Sequence, residues 1–213
     1  MEHFLHSVDD VAMEFLSKGC NHQLPETGIS SQLVSARFIS GSITAEGVGH
    51  FLTIPNSLLQ HVKHLDLSWN KLDRRGCELL AEGVQRMPCL EKLDLSLNPG
   101  IGCGGAVQLV SSLHSSKLRK LDMTGTGISD PDFQCLSSYI HSTTSLEELW
   151  IGENEISVES IDSLCKALSA NSSMRRLYMS DCHLTTSHCV CLGQLLRHPI
   201  HCQIEKLDLR AVV

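Results

Sequence analysis

Gly100, Gly102 and Gly105, in the stretch LDLSLNPGIGCGGAVQLV, stand at the spacing G-x-G-x-x-G between a strand-like and a helix-like run. In a dinucleotide site such glycines let the backbone approach a pyrophosphate at a helix N-terminus, and an acidic residue about twenty positions on holds a ribose hydroxyl. Asp122 lies near that distance. A second cluster, HCVCLGQLLRHPIHC, gathers His188, Cys189, Cys191, His198, His201 and Cys202, the soft donors that zinc takes. Neither G-x-S-x-G nor HExxH nor G-x-x-x-x-G-K-[ST] occurs, so no catalytic residue is assigned.

What positions these residues is a repeat. The pattern LxxLxLxxNxL appears as VKHLDLSWNKL, LEKLDLSLNPGI, LRKLDMTGTGI, LEELWIGENEI and MRRLYMSDCHL, with a weaker copy LVSARFISGSI and a cut-off one, IEKLDLRAVV. Starts fall at 33, 62, 90, 118, 146, 174 and 204, a spacing of 28 to 30 residues. Such regular recurrence is the mark of a leucine-rich repeat array. Behind each strand lies a column Val48, Cys77, Ala106, Phe133, Ile161 and Cys189, with a second apolar column three residues on and a third four beyond that. Offsets of three and four define one face of a helix.

Each unit is therefore a strand, a turn and an amphipathic helix. Strands stack at about 4.8 Å and helices pack at about 8 to 10 Å, so joining one of each per unit makes the array fan out. The expected fold is an α/β leucine-rich-repeat solenoid, a horseshoe with a parallel sheet on the concave face and helices on the convex face. Residues 1–32 form an N-terminal partial repeat, helix plus loop with no strand, and residues 33–213 the array with a truncated last unit.

The repeat disposes of both opening motifs. Other units reproduce the same strand, turn and helix without the glycines, and Asp122 belongs to a mid-strand column with Asp66, Asp94 and Asp208. No nucleotide is expected to bind. Cys189 and Cys191 lie two apart on one helix and do not converge, so no metal is assigned, and Cys77, Cys165 and Cys189 are expected in the core.

The 42% apolar content suffices for that core, while 4% aromatic residues leave it to Leu, Ile, Val, Met and Cys. A net charge of -7 argues against a nucleic-acid surface. No membrane span is seen, the start lacks a basic leader, and ten cysteines in a chain of this size read as reduced residues. The expected setting is cytoplasmic, with no cofactor.

The 28-residue period, the turn NPGIGCGGA and the helix columns resemble the ribonuclease-inhibitor-like class of leucine-rich repeats, and within it the C-terminal arrays of NOD-like receptors. That resemblance implies a non-catalytic protein-protein interaction module, the ligand-sensing or autoinhibitory region of such a receptor, acting through the concave face. The alternative within the class is a stand-alone scaffold or a regulator of a small GTPase. With no ATP-binding module present, the chain is expected to be at most the repeat portion of a receptor. The resemblance also implies a structural ladder after each strand: Asn70, Asn98, Thr126, Asn154 and Cys182.

The open strand face is not dictated by the fold. Its middle section is expected to be neutralised by lysines beside aspartates. Trp150 and Tyr178 replace aspartate in their column and are expected as a solvent-exposed pair beside a depression at Gly152. Exposed Trp, Tyr and Arg dominate binding hot spots, which makes Trp150, Tyr178, Glu148, Arg176 and Asp181 the candidate protein-binding patch, with Trp69 as a further candidate.

Overall fold

The computed structural model describes residues 2–6, 9–22, 33–197 and 203–210. Strand β1 (Glu2–His6) leads into helix α1 (Asp10–His22). Then follow β2 (Ser35–Ile39), α2 (Ala45–Leu52), the short α3 (Asn56–Leu59), β3 (His64–Asp66), α4 (Arg74–Val84), β4 (Lys92–Asp94) and α5 (Val107–Ser112). The chain continues through β5 (Lys120–Asp122), α6 (Asp130–Ser142), β6 (Glu148–Trp150), α7 (Val158–Ala170), β7 (Arg176–Tyr178), α8 (Thr186–Arg197) and β8 (Lys206–Asp208).

The strands form one sheet in chain order, and every neighbouring pair is parallel. Leu65, Leu93, Leu121, Leu149, Leu177 and Leu207 share one row of that register. Leu65, Leu67, Leu93, Leu95, Leu121, Leu149, Ile151 and Leu177 are all 1% exposed or less. The alternate positions face away from the helices, so one sheet face is covered and the other open. This is an α/β leucine-rich-repeat solenoid.

The N-terminal unit departs from expectation. It has a strand, since β1 pairs with β2 from Glu2↔Ser35 to His6↔Ile39. EHFLH alternates over too few residues, and lacks too much of the repeat consensus, to be recognised by pattern alone.

Helix starts are fixed by short polar side chains. Asp73 accepts from the Gly76 N–H at 2.9 Å and Ser157 from the Ser160 N–H at 3.1 Å, satisfying donors that a helix N-terminus leaves open. Behind these caps Cys77, Leu80, Phe133, Leu136, Ile161 and Leu164 are buried.

Helix α8 keeps the register of the helices before it, with Leu192 and Leu195 buried in the columns of Leu164 and Ala167, but among the described residues no helix follows it in the array. His188 is buried with Leu192 and Leu195, while Cys189 is exposed and Leu196 is half exposed. Cys189 is thus no core residue. Hydrogen bonds hold His188 in place: Nδ1 accepts from the Thr185 N–H (2.9 Å) and hydroxyl (2.8 Å), which leaves Nε2 to donate to the Ile156 carbonyl at 3.0 Å.

One edge of the sheet carries charges of alternating sign just before each strand from β3 to β8. Lys63 pairs with Glu91 (3.1 Å), Arg119 with Glu147 (2.8 Å) and Arg175 with Glu205 (3.6 Å).

Candidate binding site on the open sheet face

The glycine turn shows why its motif misleads. Gly102 has φ 63°, and a Cβ at Gly105 would collide with the Ile101 carbonyl. These glycines let a tight turn close. The N–H groups that a phosphate would use are already taken: Asp132, at 0% exposure, accepts from Gly104 at 2.7 Å, Ala106 at 2.9 Å and Ser129 at 3.2 Å. A carboxylate of the next unit occupies the anion seat.

In the zinc-like segment only His188, Cys189 and Cys191 fall among the described residues. His188 is enclosed and Cys189 exposed, while His198, His201 and Cys202 lie outside the described residues. Among the described residues no group of three or more His, Cys, Asp or Glu is placed to hold a metal ion. Asn171, in the sequon-like N-S-S, is 3% exposed and bonds the carbonyls of Ile140 (2.6 Å) and Thr143 (2.8 Å).

On the open face Asp66, Asp94 and Asp122 sit in one register row. Lysines do little to balance them; Lys120 approaches Asp122 at 3.9 Å. Their main partners lie two residues on, where the Ser68 and Ser96 hydroxyls donate at 2.7 Å to Asp66 and Asp94, and the Thr124 N–H at 3.1 Å to Asp122. Burial pushes the Asp94 carboxyl up. Burial, reinforced by the charge of Asp94, pushes Asp122 up to about 6.

Beyond this column lies the aromatic pair. Trp150 and Tyr178 are register partners, and their rings stack with centroids 3.6 Å apart at 11°. Lys120 Nζ lies 4.7 Å from the Trp150 centroid on one flank and Lys206 Nζ 4.8 Å from that of Tyr178 on the other. Glu148 ties the cluster together, accepting from Trp150 Nε1 at 2.6 Å and Arg176 at 2.9 Å. Burial pushes the Glu148 carboxyl up, yet these bonds and nearby Lys120 outweigh it and hold it below the usual carboxylate range.

Three expectations change here. Tyr178 is 8% exposed rather than left in water, because the stack covers its ring. There is no depression at Gly152: a Cβ there would meet the Ser180 carbonyl at 2.8 Å, so the next strand fills the space. Asp181 and Trp69 do not join the patch. Both occupy the left-handed turn after a strand, at φ 56° and 57°. Asp181 lines a separate groove of about 600 Å³ with Cys103, Glu153, Glu155 and His183, and Trp69, 60% exposed, lies three strands from Trp150.

Under the strands run the ladder side chains. Asn98 Oδ1 accepts from the Leu72 N–H at 3.0 Å while Nδ2 donates to the Leu67 and Leu95 carbonyls, each at 2.9 Å, and Asn70 and Asn154 repeat the arrangement. Each amide thus joins two units. Thr126 reaches only the Met123 carbonyl at 2.7 Å, and the Cys182 thiol the Ile151 carbonyl at 3.3 Å.

A family model described as "Leucine Rich repeat" matches residues 59–81, 86–110 and 114–137. The chain is built of ribonuclease-inhibitor-like leucine-rich repeats. It is 31% identical over 140 residues to a protein named Ribonuclease inhibitor from Sus scrofa, covering 64% of this chain and 30% of that protein. It is 28% identical over 162 residues to NACHT, LRR and PYD domains-containing protein 12 of Mus musculus, covering 75% of this chain and 15% of that one. Over 192 residues it is 29% identical to NACHT, LRR and PYD domains-containing protein 3 of Rattus norvegicus, covering 87% and 17%. The chain spans less than a third of the length of each.

In these leucine-rich repeats the residues whose contacts pattern reading did not assign are Lys120, Lys206, Asp132 and His188. A signal existed for two of them. Asp132, Ser160 and His188 recur at intervals of 28, one position ahead of the apolar column, and each is buried. Among the described residues no helix is long and apolar enough to cross a membrane.

Proposed function

We propose that this leucine-rich-repeat array is a non-catalytic protein-protein interaction module that engages its partner through the open, concave sheet face. The single observation that carries this reading is the Trp150–Tyr178 stack, 3.6 Å apart and flanked by Lys120 and Lys206, on the one face the helices leave uncovered. The fold needs only the inward leucines; a tryptophan held rigidly outward by Glu148 is a pre-ordered anchor of the kind that dominates interfaces. A cytoplasmic sensing or autoinhibitory role is proposed on the likeness to the NACHT, LRR and PYD domains-containing proteins, which spans up to 87% of this chain. No nucleotide or metal enters this reading.

The test replaces Trp150 with Thr, a strand-compatible residue without the ring, and keeps Tyr178 as the platform. Partners captured on the parent chain are identified and their affinity is measured by calorimetry. Binding should weaken by about 2 to 4 kcal/mol, with the melting temperature within a few degrees of the parent. Unchanged affinity rules out this face.

A further inference from the structure

The aspartate row and the aromatic pair meet at one point. Asp122 on β5 is the register partner of Trp150 on β6 and, on its other side, of Asp94 on β4. Parallel strands lie about 4.8 Å apart, so a partner seated on Trp150 also reaches Asp122. What Asp122 does to such a partner rests on the reading above that this face binds protein.

Three features set Asp122 apart in its row. It is buried, whereas Asp66 and Asp94 are partly exposed. It lacks the short hydroxyl bond of its neighbours: Ser68 and Ser96 donate at 2.7 Å, while Thr124 gives Asp122 its N–H at 3.1 Å and keeps a hydroxyl able to accept from a protonated carboxyl. Its cation is shared, since Lys120 Nζ stands 3.9 Å from Asp122, 3.7 Å from Glu148 and 4.7 Å from the Trp150 centroid. The other charged groups on the strands packed against it are Asp94 and Lys92 on β4 and Glu148 on β6, and Glu148 already accepts from Trp150 and Arg176. Burial first, and then the like charge of Asp94, disfavour the Asp122 anion, which takes up its proton at about pH 6.

We propose that proton uptake at Asp122 regulates the aromatic anchor. Charged, Asp122 draws Lys120 away from Trp150 and resists a partner that would strip its remaining water. Protonated, it leaves Lys120 to Trp150 and Glu148 and lets the partner cover the face. A complex that favours the neutral carboxyl takes up a proton as it forms, so binding tightens as the pH falls.

The first arm of the test needs no partner. In the full chain the indole N–H signal of Trp150 and the carboxyl carbon of Asp122 are followed by NMR between pH 8 and pH 5. Both should move together, with a midpoint at about pH 6. The Trp150 response should vanish in Asp122→Asn, and in Lys120→Gln the Asp122 midpoint should rise, because the cation that favours the anion is gone. In the second arm, a protein whose capture depends on Trp150 should bind the parent about threefold or more tighter at pH 5.5 than at pH 7.5, a gain that Asp122→Asn lacks. A Trp150 signal that does not follow Asp122, a response that survives in Asp122→Asn, or a pH dependence of binding that Asp122→Asn keeps in full overturns the proposal. If that happens while Trp150→Thr still loses its captured partner, the regulation falls and the binding face stands; if Trp150→Thr binds normally, the binding face falls and the regulation with it.

Discussion

The carboxylate of Asp132 accepts a hydrogen bond from the backbone N–H of Gly104 at 2.7 Å, across the boundary between two repeats. With the bond from Ala106 at 2.9 Å it fills from within the place a phosphate would take. Asp132→Ala leaves several backbone donors unpaired in the interior, and each such donor costs about 1 to 3 kcal/mol. Chemical denaturation should show a loss of roughly 2 to 4 kcal/mol, with Asp132→Asn losing less because it keeps an acceptor. Millimolar NAD or ATP should leave the melting curve of the parent unmoved; a clear upward shift would mean that the turn binds nucleotide after all.

Asp122 makes stability depend on pH in an unusual direction for a carboxylate. Its folded-state pKa is raised to about 6, above the ordinary 3.8, so the folded chain holds this proton more tightly than the unfolded one. The resulting stabilisation is fully present below about pH 4 and is lost as the pH rises through about 6. Asp122→Asn, which cannot ionise, should therefore be more stable than the parent at pH 8, by on the order of 2 kcal/mol, and show no such advantage at pH 4. Equal differences at the two pH values would show that Asp122 titrates normally.

Thiol chemistry reads the exposed side of α8. Cys77 is buried, and burial first, with nearby acids adding to it, pushes its thiol up to about 12. In the folded chain Cys103 and Cys189, both exposed, should alkylate quickly, whereas Cys77, Cys165 and Cys182 should wait for denaturant. Protection of Cys189 in the native state would return it to the core.

The architecture was legible because one spacing governs everything in it. Leucines recurring at 28 residues fix strand register and helix face together, so the inward positions from Leu65 to Leu177 could be named from pattern alone. The N-terminal strand was not, because EHFLH is too short to carry a period. Pattern also placed Trp150 and Tyr178 next to each other, yet not their burial. Whether two neighbouring rings lie open or stack depends on what caps them, here Lys120 and Lys206 reaching across from other strands. His188 eluded the column argument for a similar reason. A 28-residue alignment puts Cys189 inward, but it shows neither the bond from the imidazole to the Ile156 carbonyl nor that no described helix follows α8.

The alternating pairs along the sheet edge give the array a hidden length unit. In shape each repeat is interchangeable with the next, but Lys63, Glu91, Arg119, Glu147, Arg175 and Glu205 make charge repeat only every second unit. Excising residues 90–117 would set Lys63 against Arg119, whereas excising 90–145 would set it against Glu147. Such surface contacts weigh little singly, yet they bias which rearrangements a lineage keeps. An array of this kind grows and shrinks most smoothly in twos.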